Sequence, residues 1–216
     1  MPEDRRFRQS NFCSLGPRPQ LMTGLFISLI RQHFASPDNI DSSIFRERLF
    51  SDAPDPDGSG QLLIEDATVW TPLRAQKRPG IVVKRNAWQH EKHFTLDSAS
   101  GVDEFGNIQY TKLMRGSHTI FCIGREGGET EVLAAEVYRF FMHFGMIFRH
   151  YFGLLMFELL EIGAPAFVEE APDCYAVPIT IGYGWSESWT VQENIATLKD
   201  VRLSDVFRTY YGNDYE

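Results

Sequence analysis

The sequence predicts an α/β (α+β) fold in which a small mixed, mostly antiparallel sheet carries two main helices on one face. Two segments with apolar residues at helical spacing, several short β-rich runs and one clear period-two segment support this prediction. Hydrophobic residues form 43% of the 216-residue chain, which excludes general disorder. We expect an N-terminal arm (1–19), one core domain (20–193) with a long loop at about 86–107, and an extended C-terminal arm (194–216).

The first main helix is predicted at 20–34, because leucines recur there every four residues and a Ser-Pro pair ends the pattern. A short helical segment is predicted at 42–50. The stretch 51–60 that follows is rich in Asp, Pro and Gly, which predicts a loop. Short β-rich runs predict strands at 62–69, 81–83, 108–114, 118–124 and 157–162.

Two stretches near the middle of the chain leave alternatives open. Residues 86–107 are polar without a sustained period, so they predict either a long loop or an extended hairpin. Arg115-Gly116-Ser117 divides the following β-rich run into two strands, with one continuous bent strand as the alternative.

The second main helix follows Gly127-Gly128 and has a continuous apolar stripe. Steps of four and three residues place these side chains on one face: Leu133, Val137, Phe140, Phe144, Ile147, Tyr151 and Leu154. We expect Phe144 and Ile147 to be core residues and Arg139, on the opposite face, to be solvated. Phe144→Ala should then cost about 3–5 kcal/mol, and Arg139→Ala no more than about 0.5.

The segment 140–160, from Phe140 to Leu160, is strongly apolar and has about the length of a membrane span. It also contains Arg149 near its centre, and inserting an arginine there would cost about 2.5–3.5 kcal/mol. The amphipathic spacing therefore favours a helix outside the membrane core.

The clearest strand signal is a period-two segment near the C-terminal end of the core. One face of it carries Tyr175, Val177, Ile179, Ile181 and Tyr183. Pro178 on the other face cannot donate to a ladder, so we expect this strand to lie at an edge or to be paired on one side there.

The charge distribution excludes a uniformly basic nucleic-acid binder. The net charge is −8, and the excess lies in 151–216, which holds 3 basic and 11 acidic side chains. Phosphate binding needs clustered Lys and Arg. The basic residues near the start are not followed by an apolar run, so no signal peptide is expected there.

Cysteine and aromatic usage bear on the compartment and on assembly. Cys13, Cys122 and Cys174 are too few and too scattered for a disulfide framework, which indicates a reducing compartment. Aromatic residues reach 13%, more ring surface than one small core hides. We therefore expect part of it at subunit contacts.

Residues 55–66 resemble a calcium-binding loop. Asp55, Asp57 and Ser59 supply oxygen ligands at positions 1, 3 and 5, a glycine follows at position 6, and Asp66 stands at position 12. The stretch departs from the pattern through a proline at position 2, an aspartate in place of the bidentate glutamate, and β-like residues after the loop. The same residue types are common in surface turns. Metal binding is therefore an alternative here, and no metal site is predicted.

The histidines do not form a recognisable site. His90 and His93 lie three residues apart, but nothing nearby completes a metal site, so both are expected to be solvated loop residues. His118, His143 and His150 follow apolar segments and are expected to cap or to reach solvent.

No motif predicts catalysis. The stretch 184–188 lacks the final glycine of a nucleophile elbow, and 124–128 lacks the Lys-Ser/Thr ending of a phosphate loop. Glu169 and Glu170 are adjacent, which favours a solvated turn. We therefore predict a protein that is not an enzyme, with no catalytic, cofactor-binding or metal-binding residues and no cofactor.

Taken in order, several segments resemble one protein family. They are the helix at 21–34, the strand lead-in at 78–85, the strand at 114–122, the helix start at 129–137 and the strand at 175–183 with Trp185 and Trp189. This succession, over about 20–192, is similar to the tail-terminator and tail-completion (neck) proteins of tailed bacteriophages.

The resemblance implies a non-catalytic virion subunit, usually six to a ring, that caps the tail tube and joins it to the head. The implied partners are further copies of the chain in a hexameric ring, the tail tube protein and the head–tail connector proteins. Packaged DNA would pass through the ring without sequence-specific binding, and no membrane partner is implied. The implied location is the tail or neck of the virion, after assembly in the host cytoplasm.

Two alternatives come from other classes of protein. One is a calcium-dependent binding module that uses the Asp55 to Asp66 loop, and the other is a peripheral membrane protein that uses the Phe140 to Leu160 segment. In a ring, the loop at 86–107 and the tail at 194–216 are expected to act as intersubunit arms.

Overall fold

The computed structural model of the chain describes residues 19–51, 61–71, 79–91, 99–102 and 107–191. Two compact units share the chain. The larger unit comprises 15–92 and 112–187, and the smaller comprises 1–14, 93–111 and 188–216.

The described residues form a mixed α+β structure with three α-helices and eight strands. The helices are α1 (Pro19–Phe34), α2 (Ser43–Arg46) and α3 (Gly127–Tyr151), with a 3-10 turn at Pro37–Asn39. The strands are β1 (Leu63–Asp66), β2 (Gly80–Arg85), β3 (Gln89–Glu91), β4 (Ala99–Val102), β5 (Ile108–Gly124), β6 (Met156–Ile162), β7 (Ala166–Val168) and β8 (Ala171–Val191). The predicted fold class and both main helices are confirmed.

The sheet is open and mostly antiparallel, with its main strands in the order β1-β2-β5-β8-β6. β1 and β2 are parallel, with Leu63 opposite Gly80, whereas β2 runs antiparallel to β5. β3 and β7 add short ladders to β5 and β8. β1 and β6 are therefore the two ends of this strand order.

The main core of the larger unit lies between one face of the sheet and the two long helices. Alternate residues of the strands point into it, such as Ile81 and Val83 from β2 and Ile179 from β8. From α1 it receives Phe26, and from α3 it receives Phe141, whose ring lies 5.6 Å from that of Phe26. All five side chains are fully buried, so the predicted stacking of both helices on one face is correct.

The smaller unit is described at β4 and at the adjoining ends of β5 and β8. β4 pairs with β5 in an antiparallel ladder that places Val102 opposite Ile108. In the same unit the rings of Tyr110 and Trp189 stack, with their centroids 5.7 Å apart.

The region predicted as a loop or a hairpin at 86–107 contains β3 and β4. Both pair antiparallel with β5, so the hairpin alternative is correct for the described residues. Residues 92–98 and 103–106 lie outside the described part of the chain, as do the predicted terminal arm at 194–216 and residues 1–18.

β5 is one continuous strand, so the predicted division at Arg115-Gly116-Ser117 is wrong and its alternative is correct. Gly116 is needed here for space rather than for a turn. A Cβ at this position would lie 2.8 Å from the ring of Tyr183 on β8, because that ring packs directly against the β5 backbone. A glycine that makes room for a ring therefore looks like a turn signal in the sequence.

Pro178 lies inside the sheet, because β8 has neighbours on both sides. The partner of β8 changes at this residue. The ladder with β7 reaches Ala176, and the ladder with β6 begins at Ile179. The prediction that this strand lies at an edge is therefore wrong. On the side of β8 that faces β6 and β7, Pro178 lies between the two ladders, where no N–H donor is needed.

α3 begins at Gly127, as the sequence predicts, but it ends at Tyr151, so Leu154 of the predicted stripe lies beyond the helix. Glu129 lies in its first turn and Arg149 and His150 in its last, which complements the helix dipole. Gly153 follows the end of the helix with φ of 61°, a left-handed conformation that glycine adopts easily. The Leu154 amide then donates to the Arg149 carbonyl at 2.9 Å, which closes the helix with a Schellman turn.

Candidate interaction surface

The second half of α3 carries apolar side chains that nothing in the described chain covers. Phe144, Ile147 and Tyr151 are 42%, 49% and 81% exposed. They continue the stripe whose earlier members, Leu133 and Val137, are fully buried. The prediction that Phe144 and Ile147 are core residues is therefore wrong. We call the three exposed residues the α3 stripe.

The physical reason is the direction in which the second half of α3 faces the core. There Phe141 and Phe148, which are 0% and 6% exposed, are buried in place of Phe144 and Ile147. Steps of four and three average about 3.5 residues, whereas an α-helix has 3.6 residues per turn, so a stripe with these steps drifts around the helix. Helical spacing defines an apolar face, but it does not show which part of that face the core covers.

A cavity of about 440 Å³ lies between α1 and α3, next to the start of the α3 stripe. Its titratable lining comes from His33 and Asp41 on one side and from Glu136, Arg139 and His143 on α3. Phe144 forms part of its apolar lining. This cavity is the strongest candidate for a chemical site. Whether it can support acid–base chemistry depends on the hydrogen bonds of its buried carboxylate, Glu136.

Glu136 is buried, and its carboxylate is already occupied by protein groups. Oε1 lies 3.2 Å from His33 Nε2 and accepts from the Asp41 amide at 3.1 Å, while Oε2 accepts from the Ser42 amide at 3.2 Å. Burial lowers the pKa of His33, against the opposing effect of Glu136. A carboxylate that holds three donors fixes the chain before α2 against α3 and is not available as a general base.

His118 is fully buried in β5, so the prediction that it caps or reaches solvent is wrong. Its Nε2 lies 2.8 Å from the Thr23 hydroxyl, and its Nδ1 lies 3.0 Å from the Tyr183 hydroxyl. Burial, with the Arg85 charge as a further cause, lowers the pKa of His118 to about 4. Burial also raises the pKa of Tyr183 to about 12. This cluster is a closed polar network within the core and presents no atom to a substrate.

A second cavity, of about 450 Å³, lies on the sheet face opposite the helices. We call it the far-face groove. Its apolar lining includes Val82 and Ile123, which belong to a second core cluster, and Phe167, which is 66% exposed. Lys84 and Glu170 are the charged residues of its lining. An apolar groove of this kind suits an apolar partner better than a polar substrate.

The end of α3 is basic, and the part of the chain that follows it is acidic. Residues 139–151 of α3 include two arginines and two histidines but no carboxylate. Residues 151–191 include six carboxylates and no Lys or Arg. Glu169 and Glu170 form the exposed turn between β7 and β8, as predicted. The α3 stripe therefore lies beside basic side chains, whereas the lining of the far-face groove has one charged residue of each sign, Lys84 and Glu170.

The remaining predicted site residues do not come together. Asp66 ends β1, and its Oδ1 accepts from the Thr68 amide at 2.8 Å, whereas Asp55, Asp57 and Ser59 lie outside the described residues. β1 occupies the last four positions of that stretch, where a calcium-binding loop would lead into a helix. Within the described ranges, no group of three His, Cys, Asp or Glu residues could hold a metal ion.

The other histidines and the cysteines form no metal site in the described part of the chain. His90 lies in β3 opposite Met114, so the expectation that it is a solvated loop residue is wrong, and His93 lies outside the described residues. His143 and His150 are exposed on α3, and His143 also lines the cavity between α1 and α3. Cys122 and Cys174 are buried, and burial raises the pKa of both thiols. Cys13 lies outside the described residues.

None of the helices in the described part of the chain is both long enough and apolar enough to cross a membrane. No protein-family model matches the sequence, and no curated protein is significantly similar to it. The chain is thus a mixed α+β protein with two apolar surfaces, the α3 stripe on the helix side of its sheet and the far-face groove on the other side.

Proposed function

We propose that this chain is a non-catalytic, ring-forming structural subunit of a tailed-phage virion, of the tail-terminator or neck type. Its ring would cap the tail tube and join it to the head, and DNA would pass through the ring without sequence-specific contacts. The proposal rests on the order of segments that resembles this family and on surfaces suited to self-assembly. The same order of a first helix, central strands, a long helix and a final strand is present as α1, β2, β5, α3 and β8.

The observation that carries the proposal is the α3 stripe. Phe144, Ile147 and Tyr151 leave apolar surface in water, and covering Phe144 or Ile147 would gain a part of the about 1.5–3 kcal/mol that full burial of such a side chain contributes. Large exposed apolar patches are typical of interaction sites. The α3 stripe would be apolar and yet exposed in the single chain because assembly with other subunits covers it.

The separation of the surfaces supports a ring rather than a symmetric pair. A two-fold dimer uses one patch twice, whereas a ring needs two different patches that face in different directions. The larger unit offers an apolar, basic helix end on one side of the sheet and an apolar groove, with Lys84 and Glu170 in its lining, on the other. These are the parts that a head-to-tail contact requires.

The positions of the perturbed groups support a structural role. His118, Cys122 and Tyr183, whose pKa values are strongly shifted, are all fully buried in the core. Catalytic groups with shifted pKa values lie instead in clefts that a substrate can enter. The strongly shifted pKa values of these three groups follow from their burial in the core.

Two measurements test the proposal. Purified protein, examined by light scattering over a range of concentrations and by negative-stain electron microscopy, should form closed rings alone or on tail tubes. Immunogold labelling of the virion whose genome encodes the chain should place it on the tail axis, at the tail end or neck. Labelling away from that axis, or a non-ring arrangement, would contradict the proposal.

A further inference from the structure

We infer that the cavity between α1 and α3 binds a small, neutral aromatic compound that carries a hydroxyl group. The hydroxyl would donate to Nδ1 of His33, and the ring would pack against phenylalanines of α3. The cavity volume of about 440 Å³ lies in the range of small-molecule sites, and all of its lining belongs to the larger unit. This inference goes beyond the proposed function, because such a site needs neither a ring nor a virion.

His33 supplies a hydrogen-bond acceptor that the described part of the chain does not use. The residue is 9% exposed, and its Nε2 lies 3.2 Å from Glu136 Oε1. Burial lowers the pKa of His33, which favours the neutral ring. Since a carboxylate only accepts, Nε2 carries the proton and Nδ1 keeps its lone pair. No hydrogen bond joins Nδ1 to the described residues, so a ligand that displaces solvent there must bring a donor.

Three phenylalanines of α3 give the cavity an aromatic wall. The Phe140 ring lies 4.6 Å from the His33 ring and 5.3 Å from the Phe144 ring, and the Phe148 ring lies 5.9 Å from that of Phe140. Aromatic rings pack favourably at such distances in tilted or edge-to-face arrangements. Phe144 is 42% exposed, so a ligand ring placed here would also cover apolar surface that now meets water.

The charges around the cavity favour a neutral ligand. Both carboxylate oxygens of Glu136 already accept from protein groups. Arg139 and Asp41 are more than half exposed and carry opposite charges, with Nη1 3.7 Å from Oδ2. A charged ligand would therefore meet both signs at once. His143 is exposed, so solvent screens any charge that it carries.

A comparison of small aromatic probes tests the chemistry of the site. Titration calorimetry of the full chain at pH 7 should show that phenol binds with a dissociation constant in the millimolar range. Anisole has the same ring but cannot donate, so it should bind roughly tenfold more weakly. Benzoate and benzylamine, which add a negative and a positive charge, should both bind more weakly than phenol. Phenol should also shift the Nδ1 signal of His33 in nitrogen NMR spectra, where His33→Gln identifies that signal.

Two substitutions of leucine by tryptophan on α1 test the location. Leu29 lines the cavity, so Leu29→Trp should fill it and abolish phenol binding. Leu21 is 66% exposed and is not part of the cavity lining, so Leu21→Trp should bind phenol like the original chain. Circular dichroism checks that both variants fold, and the NMR signal of His33 in the original chain tests the site without any substitution.

Four results would overturn the inference. They are no binding of phenol, equal binding of phenol and anisole, unchanged binding in a folded Leu29→Trp variant, and an Nδ1 signal of His33 that phenol leaves in place. None of them bears on ring formation, which electron microscopy of the assembled chain measures separately.

Discussion

The imidazole of His118 and the phenol of Tyr183 lie side by side at the centre of the core, with their ring centroids 5.6 Å apart and Nδ1 3.0 Å from the hydroxyl oxygen. The second ring nitrogen faces the Thr23 hydroxyl. A neutral imidazole has one donor and one acceptor, so it pairs with two hydroxyls at once. Protonation would place an additional charge in this buried site, and the fold therefore favours the neutral form.

We expect stability to fall as the pH drops from about 6.5 toward 4. The pKa of His118 is lowered from 6.5 to about 4 in the fold, so between these values the unfolded chain binds a proton that the folded chain does not. Protons then favour unfolding by about 1.4 kcal/mol per pH unit, or about 3 kcal/mol over the whole range. The lowered pKa of His33 acts in the same direction. Urea unfolding at pH 7, 6 and 5 measures this slope.

His118→Gln tests whether His118 causes this dependence of stability on pH, because glutamine can still form hydrogen bonds but does not titrate. Its stability should vary with pH less than half as much as that of the original chain. An unchanged slope in this variant would place the titrating group elsewhere.

Gly116→Ala should destabilise the fold by about 1–3 kcal/mol. The added Cβ would meet Tyr183 ring atoms at 2.8–2.9 Å, and that ring is fully buried and hydrogen-bonded, so it cannot easily move aside. Gly128→Ala is the control, since a Cβ there meets nothing within 4 Å and an alanine favours the helix. Thermal unfolding should therefore shift down for the first variant and stay level or rise for the second. Equal shifts would contradict this close packing.

Gly116 and His118 show what the sequence alone cannot predict. The long helix and the last strand follow from spacing alone, because each pattern repeats over many neighbouring residues. The role of Gly116 depends on Tyr183, and the burial of His118 depends on Thr23, 95 residues away. No local pattern records such distant partners. The sequence alone therefore predicts a break at Gly116 and a surface position for His118.

Glu136→Ala should cost about 3–5 kcal/mol. The replacement leaves the Asp41 and Ser42 amides and the buried His33 ring without their carboxylate partner. Glu131→Ala, on an exposed position of the same helix, should change stability by no more than about 0.5 kcal/mol. Chemical denaturation of both variants at pH 7 makes the comparison. A small effect at Glu136 would mean that solvent replaces the carboxylate.

The α3 stripe was predictable as an apolar face but not as an interaction surface. The apolar stripe predicted from the sequence has seven members; the fold buries the first three, exposes Phe144, Ile147 and Tyr151, and places Leu154 after the end of the helix. In the second half of α3 the buried side chains are Phe141 and Phe148 instead, and which side of a helix is buried depends on the tertiary structure rather than on the period. The excess of aromatic residues was the one sequence signal that pointed to rings outside the core.

Phe141→Ala and Phe144→Ala should therefore separate stability from assembly. Phe141 is fully buried, with ring contacts to Phe26 and Phe157, so its removal leaves a cavity and should cost about 3–5 kcal/mol. Phe144 is 42% exposed, and its removal should cost less than about 1.5 kcal/mol while weakening self-association. Denaturation of the monomer and light scattering at high concentration measure the two effects on the same samples. A loss at Phe144 as large as that at Phe141, with assembly unchanged, would show that the end of α3 is covered within its own chain and that the stripe is not where subunits meet.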